Sequence, residues 1–149
     1  MSGLGVAVRK GEPRPDIGSP DALKGALLAA KSVAHAKEGE SGIHFRAVMD
    51  KLGIADAMKP KLKAYDSAGL RQSLASGEAD MAVTGIGPIL SMPGSDYLGP
   101  VPPPVQGYVV FNTAVSATAR DADAVRALIG FLTAPSAAPV FKAKGMEPG

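Results

Sequence analysis

The chain has 149 residues, of which 46% are hydrophobic and 20% charged, a composition typical of a folded globular protein. Its formal charge of +2 comes from 16 basic and 14 acidic residues without a run of either sign, which argues against a nucleic-acid or membrane surface. The absence of cysteine excludes disulfides, thiolate metal sites and cysteine nucleophiles.

The N-terminal part of the chain alternates strand and helix patterns. Residues 4–9 form a valine-rich run that predicts a strand, and a loop rich in proline and glycine follows it. Ser19, Pro20 and Asp21 then predict a helix start, with a capping serine, proline at the first helical position and an acid in the first turn. Residues 32–36 predict a second strand.

An amphipathic helix follows this second strand after a turn flanked by glycine. Its apolar residues recur at i, i+3, i+4 and i+7 and predict one buried face: Phe45, Val48, Met49 and Leu52. Ser41 precedes this face, so we expect its hydroxyl to cap the helix. Such a corner can hold a negative group at the carboxyl end of a parallel sheet. The alternatives are that it binds nothing, or that Glu40 satisfies the helix dipole and repels an anion.

The pattern repeats once more in the middle of the chain. Residues 61–65 predict a half-exposed third strand, and Ser67 is predicted to cap the helix that follows. Residues 80–84 predict a fourth strand, which runs into a second glycine-bearing corner beginning at Gly85. Strands that alternate with helices in this way predict βαβ units and a parallel sheet.

The composition changes after Leu90. Residues 91–107 hold five of the 13 prolines and predict an extended connector. Residues 108–112 predict a fifth strand, Asp121 and Asp123 open a further helix, and residues 139–144 predict a last one. The helix after Asp121 again has apolar residues at helical spacing: Val125, Leu128, Ile129 and Leu132.

The sequence contains no catalytic constellation of useful specificity. It lacks a nucleophile elbow, a P-loop lysine motif and a metalloprotease histidine pair, and its glycine pairs do not complete a dinucleotide fingerprint. His35 and His44 lie on different elements and predict no metal site. We therefore predict no enzyme, no catalytic residue and no cofactor.

Four segments, in this order and spacing, resemble a known family. They are GVAVRKGEPRPDIGSPDALKGALLAAKSVA, SGIHFRAVMDKLGI, LASGEADMAV and FLTAPSAAPVFKAKGMEP. Together they span residues 5–148 and resemble the molybdate-binding-protein-like branch of the bacterial extracellular solute-binding proteins, the periplasmic receptors of ABC importers.

This resemblance implies an α/β, periplasmic-binding-protein-like fold with a parallel-rich sheet and flanking helices, in which two lobes close on a small ligand. By analogy, residues 1–90 are the complete second lobe with its hinge strand, residues 91–107 the proline-rich crossover, and residues 108–149 the C-terminal part of the first lobe. It also implies ligand contacts at the two corners described above: Gly39, Glu40, Ser41, Gly42, Thr84 and Gly85.

The chain differs from the family pattern in two respects. Family members begin with a further stretch, a signal peptide followed by most of the first lobe, so we expect a truncated chain with uncovered apolar surface on its C-terminal segment. Such surface predicts self-association or poor solubility. In addition, Glu40 stands where oxyanion binders keep an uncharged residue, and Thr84 where molybdate binders place a tyrosine, which argues against molybdate specificity.

These observations predict the substrate-binding component, or a fragment, of an ABC-type importer that binds a small polar or oxyanion ligand such as molybdate. The expected partners are that ligand, an ABC permease and a second copy of the chain, without nucleic acid or membrane insertion. The resemblance implies a periplasmic location, whereas a genuine start at Met1 would imply the cytoplasm because no signal peptide follows it. A cytoplasmic ligand-sensing regulatory domain of the same fold and an inactive truncated homologue stay open as alternatives.

Overall fold

The computed structural model describes residues 1–147 and shows a six-stranded sheet with helices on both faces. Pro148 and Gly149, which end the predicted first-lobe segment, lie outside the described residues. The strands are β1 (Ser2–Arg9), β2 (Val33–Ala36), β3 (Leu62–Tyr65), β4 (Met81–Gly85), β5 (Ser95–Pro100) and β6 (Tyr108–Val109). Their order is β3-β2-β4-β1-β5, and β6 pairs with β1.

The sheet combines a group of parallel strands with an interior antiparallel strand. β3, β2 and β4 run parallel, as the predicted βαβ units require. β1 lies between β4 and β5 and runs antiparallel to both, so the first strand of the chain lies inside the sheet and not at its edge. The predicted α/β class with flanking helices is confirmed, and the parallel group is the part that carries the candidate site.

The described residues form seven α-helices. They are α1 (Pro20–Ala29), α2 (Glu40–Lys51), α3 (Ala55–Met58), α4 (Ser67–Gln72), α5 (Ile86–Leu90), α6 (Ala122–Thr133) and α7 (Ala138–Ala143), with 3-10 turns at Lys59–Lys61 and Pro135–Ala137. The predicted start of α1 is confirmed, because Ser19 Oγ accepts a hydrogen bond from the Ala22 N–H at 3.1 Å and Pro20 occupies the first turn.

Side chains alternate along the strands and build a core on each face of the sheet. On one face, Val6, Val33 and Val83 pack with Leu23 and Leu27 of α1 and with Phe45, Val48 and Met49 of α2. On the other face, Ala7, Ala34 and Ala82 pack with Leu70 of α4, Ile89 of α5, Leu74 and Met92. The alanines leave room for α4 and α5 to approach the sheet closely.

Asp66 caps α4, so the prediction of Ser67 as the cap was wrong by one residue. The Asp66 carboxylate accepts a hydrogen bond from the Gly69 N–H at 2.8 Å. Asp66 keeps an extended backbone directly after β3, which lets its side chain reach the free N–H groups of the first turn. Ser67 already lies inside the helix, and its hydroxyl is not the cap.

The proline-rich stretch contains a strand that the sequence analysis did not predict. Ser95–Pro100 pairs with β1 as β5. The strand is compatible with the proline content because its proline lies at the strand end, where the loss of an N–H group disturbs the ladder least. The predicted fifth strand is shorter than expected, since only Tyr108–Val109 pairs with β1.

Five large apolar side chains in the C-terminal segment are exposed, and we call this set the C-terminal apolar face: Phe111, Leu128, Phe131, Leu132 and Val140. The exposed fraction is 57% at Leu128, 70% at Phe131 and 65% at Val140. α6 begins at the predicted position, where Asp121 accepts a hydrogen bond from the Ala124 N–H at 2.9 Å, yet none of its residues is buried. The apolar surface predicted for this segment is confirmed.

Among residues 1–147, no single helix is long and apolar enough to cross a membrane. The helices Ala122–Thr133 and Pro135–Ala143 reach that length and composition only as a joined pair, which is bent by 56°.

We expect the C-terminal apolar face to drive self-association of the 149-residue chain, because exposed apolar surface of this extent is usually covered. Replacing both Leu128 and Phe131 by lysine should therefore lower the mass measured by light scattering at increasing protein concentration. Ile43→Lys is the control, since Ile43 is 53% exposed on α2 and lies outside this face. A parent chain that stays monomeric at every concentration would contradict the prediction.

Candidate functional site

The chain leaves the carboxyl ends of two neighbouring parallel strands toward opposite faces of the sheet. After β2 it forms α2, which packs on the face that carries Phe45. After β4 it forms α5, which packs on the face that carries Ile89. A crevice opens between two loops that diverge in this way, and α/β proteins bind ligands at such positions. The topology therefore identifies the edge of the sheet where a site is expected.

A cavity of about 480 Å³ occupies this edge, and we call it the Ser41–Thr84 crevice. Ser41 lies in the first turn of α2, and Thr84 lies near the end of β4 and is 2% exposed. Thr84 Oγ1 donates a hydrogen bond to Ser41 Oγ over 3.4 Å. The fold thus joins two corners that stand 43 residues apart in sequence. The polar residues on the wall are Glu38, Ser41, Ser67, Arg71, Thr84 and Ser91.

Ser41 does not cap α2, which corrects the sequence prediction. Gly39 occupies the N-cap position with a φ of 85°, and Glu40 is the first helical residue. This left-handed backbone favours glycine, and the helix begins two residues earlier than a cap at Ser41 would place it. Because no side chain caps the helix, the Ser41 hydroxyl is available to Thr84 and to the crevice.

Glu40 lies beside the crevice and is absent from its wall. Its side chain is 66% exposed, and its Oε2 lies 3.5 Å from His44 Nε2, one helical turn further along α2. The Glu40 carboxylate is therefore directed along its own helix. Glu38, which the sequence analysis did not select, is the carboxylate-bearing residue that lines the crevice.

The three predicted glycines shape the crevice without lining it. Gly39 forms the turn before α2, and Gly85 is the N-cap residue of α5. Gly42 is buried so closely against β2 that an added Cβ would lie within 3.0 Å of the Ala36 carbonyl oxygen. Of the six predicted site residues, Ser41 and Thr84 are on the wall, and their role in binding stays a prediction.

Ser67 and Arg71 of α4 also line the crevice, and sequence analysis missed them as site residues. β3 is parallel to β2, so its carboxyl end lies at the same edge of the sheet, and α4 begins there. The strand-to-helix rule that selected the other two corners also applied to this one. Ser67 was predicted to cap α4, so its hydroxyl was expected to bond to the helix backbone and was not considered as a ligand contact.

Charge in the crevice comes from one acidic and one basic residue, Glu38 and Arg71. His35, at the end of β2, is buried, and its Nδ1 donates a hydrogen bond to the Ala36 carbonyl at 2.9 Å. Burial lowers the pKa of His35 and the nearby Arg46 acts in the same direction, so the imidazole is neutral at pH 7. Among residues 1–147, no three His, Cys, Asp or Glu side chains are grouped to hold a metal ion.

A larger cavity of about 720 Å³ lies on the other side of α5. Ile86 and Leu90 of α5 line it, together with Tyr97 of β5 and Lys142 of α7. Burial raises the pKa of Tyr97, which keeps its phenol protonated at neutral pH. We place the candidate site in the Ser41–Thr84 crevice, because the ends of the parallel strands converge there.

Comparison with known families identifies the protein class. The sequence profile of the bacterial extracellular solute-binding proteins matches residues 1–147. The chain belongs to this family. The resemblance drawn from the four sequence segments is therefore confirmed.

Two solved structures share the fold of this family member. A structure described as the substrate-binding domain of a molybdenum ABC transporter from Clostridium difficile has a TM-score of 0.72 and 16% identity, over 99% of this chain and 64% of that chain. The periplasmic molybdate-binding protein of Azotobacter vinelandii has a TM-score of 0.57 and 18% identity, over 97% of this chain and 64% of that chain. At these identities the similarity establishes the fold alone.

A curated relative of this family member is an enzyme. Aconitate isomerase from Pseudomonas sp. is 28% identical over 149 residues, which cover 99% of this chain and 56% of the relative. This chain thus spans a little over half the length of that relative and 64% of each of the two solved structures.

Proposed function

We propose that this protein binds a small polar or anionic solute in the Ser41–Thr84 crevice, as the substrate-binding component of an ABC-type importer. The convergence of two strand-to-helix corners on one cavity, with the buried Thr84 hydroxyl bonded to Ser41, carries the proposal. Hydroxyl groups and the free N–H groups of helix starts are donors suited to such a ligand. Membership of the solute-binding family supports this function.

Molybdate and aconitate are the first candidate ligands, because similar proteins are named for them. Both are anions, and both would use the hydroxyl donors of the crevice. An ABC permease is the proposed partner, and the proposed location is the periplasm. These assignments are proposals because this chain spans only 56% of the curated relative.

We further infer a two-lobed organisation. Residues 1–90 form the second lobe, residues 91–107 the crossover and residues 108–149 the C-terminal part of the first lobe. The two cores draw their buried residues from the chain up to Val105, whereas no residue of α6 or α7 is buried, which supports a boundary near this position.

Replacing Ser41 by alanine is expected to weaken solute binding about threefold to tenfold, because a hydrogen bond to the ligand is lost. Isothermal titration calorimetry with molybdate and with aconitate measures this change. Ser116→Ala is the control. Ser116 is exposed, its hydroxyl contacts that of Thr118, and it does not line the crevice. Unchanged affinity for a bound ligand in Ser41→Ala would contradict the role of Ser41, and an absence of binding to the parent chain would contradict molybdate and aconitate as its ligands.

Isomerisation of aconitate is a second candidate function, favoured by the 28% identity to aconitate isomerase. Glu38 lines the crevice and is the residue there that can exchange a proton with a bound carboxylic acid. Proton NMR of trans-aconitate incubated with the chain tests this function. Conversion that Glu38→Gln abolishes would support it, and no conversion by the parent chain would reject it.

A further inference from the structure

We infer that the Ser41–Thr84 crevice selects a zwitterionic solute, which carries a carboxylate and an ammonium group as an α-amino acid does. This inference rests on the proposed binding function and names the class of its ligand. Two residues of opposite charge, Glu38 and Arg71, carry it, because both line the same cavity of about 480 Å³. Neither residue was selected from the sequence.

The formal charges on the wall of the crevice cancel. Arg71 contributes one positive charge and Glu38 one negative charge. His35 is neutral at the adjoining strand end, and Glu40 is directed toward His44, so neither alters this balance. A doubly charged oxyanion would meet one cation and one carboxylate of its own sign, and such unfavourable contacts are a common means of excluding a ligand.

Glu38 and Arg71 are exposed, and neither forms an ion pair within the described part of the chain. The ion pairs there join Arg9 to Asp80, His44 to Glu40, Lys59 to Asp56 and Arg126 to Asp123. A zwitterion would supply a partner to each residue at once. The planar guanidinium of Arg71 matches a carboxylate in two parallel hydrogen bonds, and the Glu38 carboxylate accepts from an ammonium group.

The rest of the wall fits the remaining parts of such a solute. Leu70, Pro88 and Met92 offer apolar surface to a side chain, and Leu70 and Met92 are buried. The Ser41 hydroxyl accepts the Thr84 proton, so its own O–H can donate to the ligand carboxylate. The volume is within the range of sites for small molecules. We therefore expect an apolar amino acid to suit the crevice better than an oxyanion.

Calorimetry with matched probes tests this inference on the full 149-residue chain. L-leucine carries both charges, 4-methylpentanoate lacks the ammonium group, and 3-methylbutylamine lacks the carboxylate. We expect L-leucine to bind about tenfold more tightly than either single-charge probe, because each probe leaves one charged residue without a partner. Molybdate and aconitate complete the set of ligands.

Two variants test which residue pairs with the ammonium group of the ligand and which pairs with its carboxylate. Glu38→Gln should weaken L-leucine binding about tenfold and strengthen 4-methylpentanoate binding, whereas Arg71→Gln should weaken both. Glu12→Gln and Arg120→Gln are the controls, because they remove the same charges at exposed positions outside the crevice. Equal binding of L-leucine and 4-methylpentanoate, or an unchanged preference in Glu38→Gln, overturns the inference.

The same titrations separate this inference from the proposed function. Binding of molybdate or aconitate without binding of L-leucine overturns the zwitterion inference and leaves the solute-binding proposal intact. Failure of every probe to bind the parent chain overturns both.

Discussion

Replacing Phe45 by alanine is expected to lower the free energy of unfolding by about 3–5 kcal/mol. Phe45 is fully buried between α2 and the sheet, and its ring centroid lies 5.7 Å from that of His35. Alanine would remove most of this apolar surface and leave a cavity that the strands cannot fill, because β2 and β4 are held by their parallel pairing. Urea denaturation followed by circular dichroism measures the change.

Ile43→Ala is the matched control for this substitution. Ile43 lies two residues before Phe45 on the same helix, but it is 53% exposed, so its truncation should change stability by no more than about 0.5 kcal/mol. Comparable losses in the two variants would show that α2 does not pack through Phe45. Loosening of α2 should also weaken solute binding in Phe45→Ala, because α2 positions Ser41 opposite Thr84.

Replacing Gly42 by alanine is expected to cost about 1–3 kcal/mol of stability, although alanine is the better helix former. The new Cβ would lie within 3.0 Å of the Ala36 carbonyl oxygen, a backbone atom that moves only if the end of β2 moves. The first turn of α2 would shift, and Ser41 would shift with it. We therefore expect weaker solute binding as well as a lower urea midpoint.

Gly25→Ala is the control for the effect of helix propensity. Gly25 lies within α1, and a Cβ added there meets no atom within 4 Å. This substitution should raise stability by up to about 1 kcal/mol, since the strain at Gly42 is absent and alanine favours the helix. If Gly42→Ala stabilises the protein as Gly25→Ala does, the close approach of α2 to β2 is wrong.

The helices α2 and α6 show that a local sequence pattern predicts a helix but does not predict whether its apolar face is buried. Both were predicted from capping residues and from apolar side chains at helical spacing, and both form. In α2 the apolar face is buried, with Phe45 and Val48 in the core. In α6 the same spacing leaves Leu128 57% exposed. Spacing determines which side chains share a face, but burial depends on a second element that covers it.

In the candidate site, too, local sequence patterns predicted some features and the packing of distant segments decided others. The two glycine-bearing corners were predicted from strand-to-helix patterns, and the family resemblance implied ligand contacts there at Ser41 and Thr84. The structure places the hydroxyl oxygens of these two residues 3.4 Å apart. The N-cap positions were predicted two residues late at Ser41 and one residue late at Ser67. A cap depends on the residue where the extended backbone of the preceding strand ends, and this is set by strand pairing as much as by side-chain type.

By itself, the sequence determined the α/β class, the main helices and strands, the family and two corners of the candidate site. Each of these depends on residues close together in the chain or on a pattern that its family shares. The tertiary structure decided the rest: the antiparallel position of β1, the strand β5 and the meeting of Glu38 and Arg71 in one crevice. These depend on strand order, which is set by long-range packing of the sheet and cannot be read from local spacing.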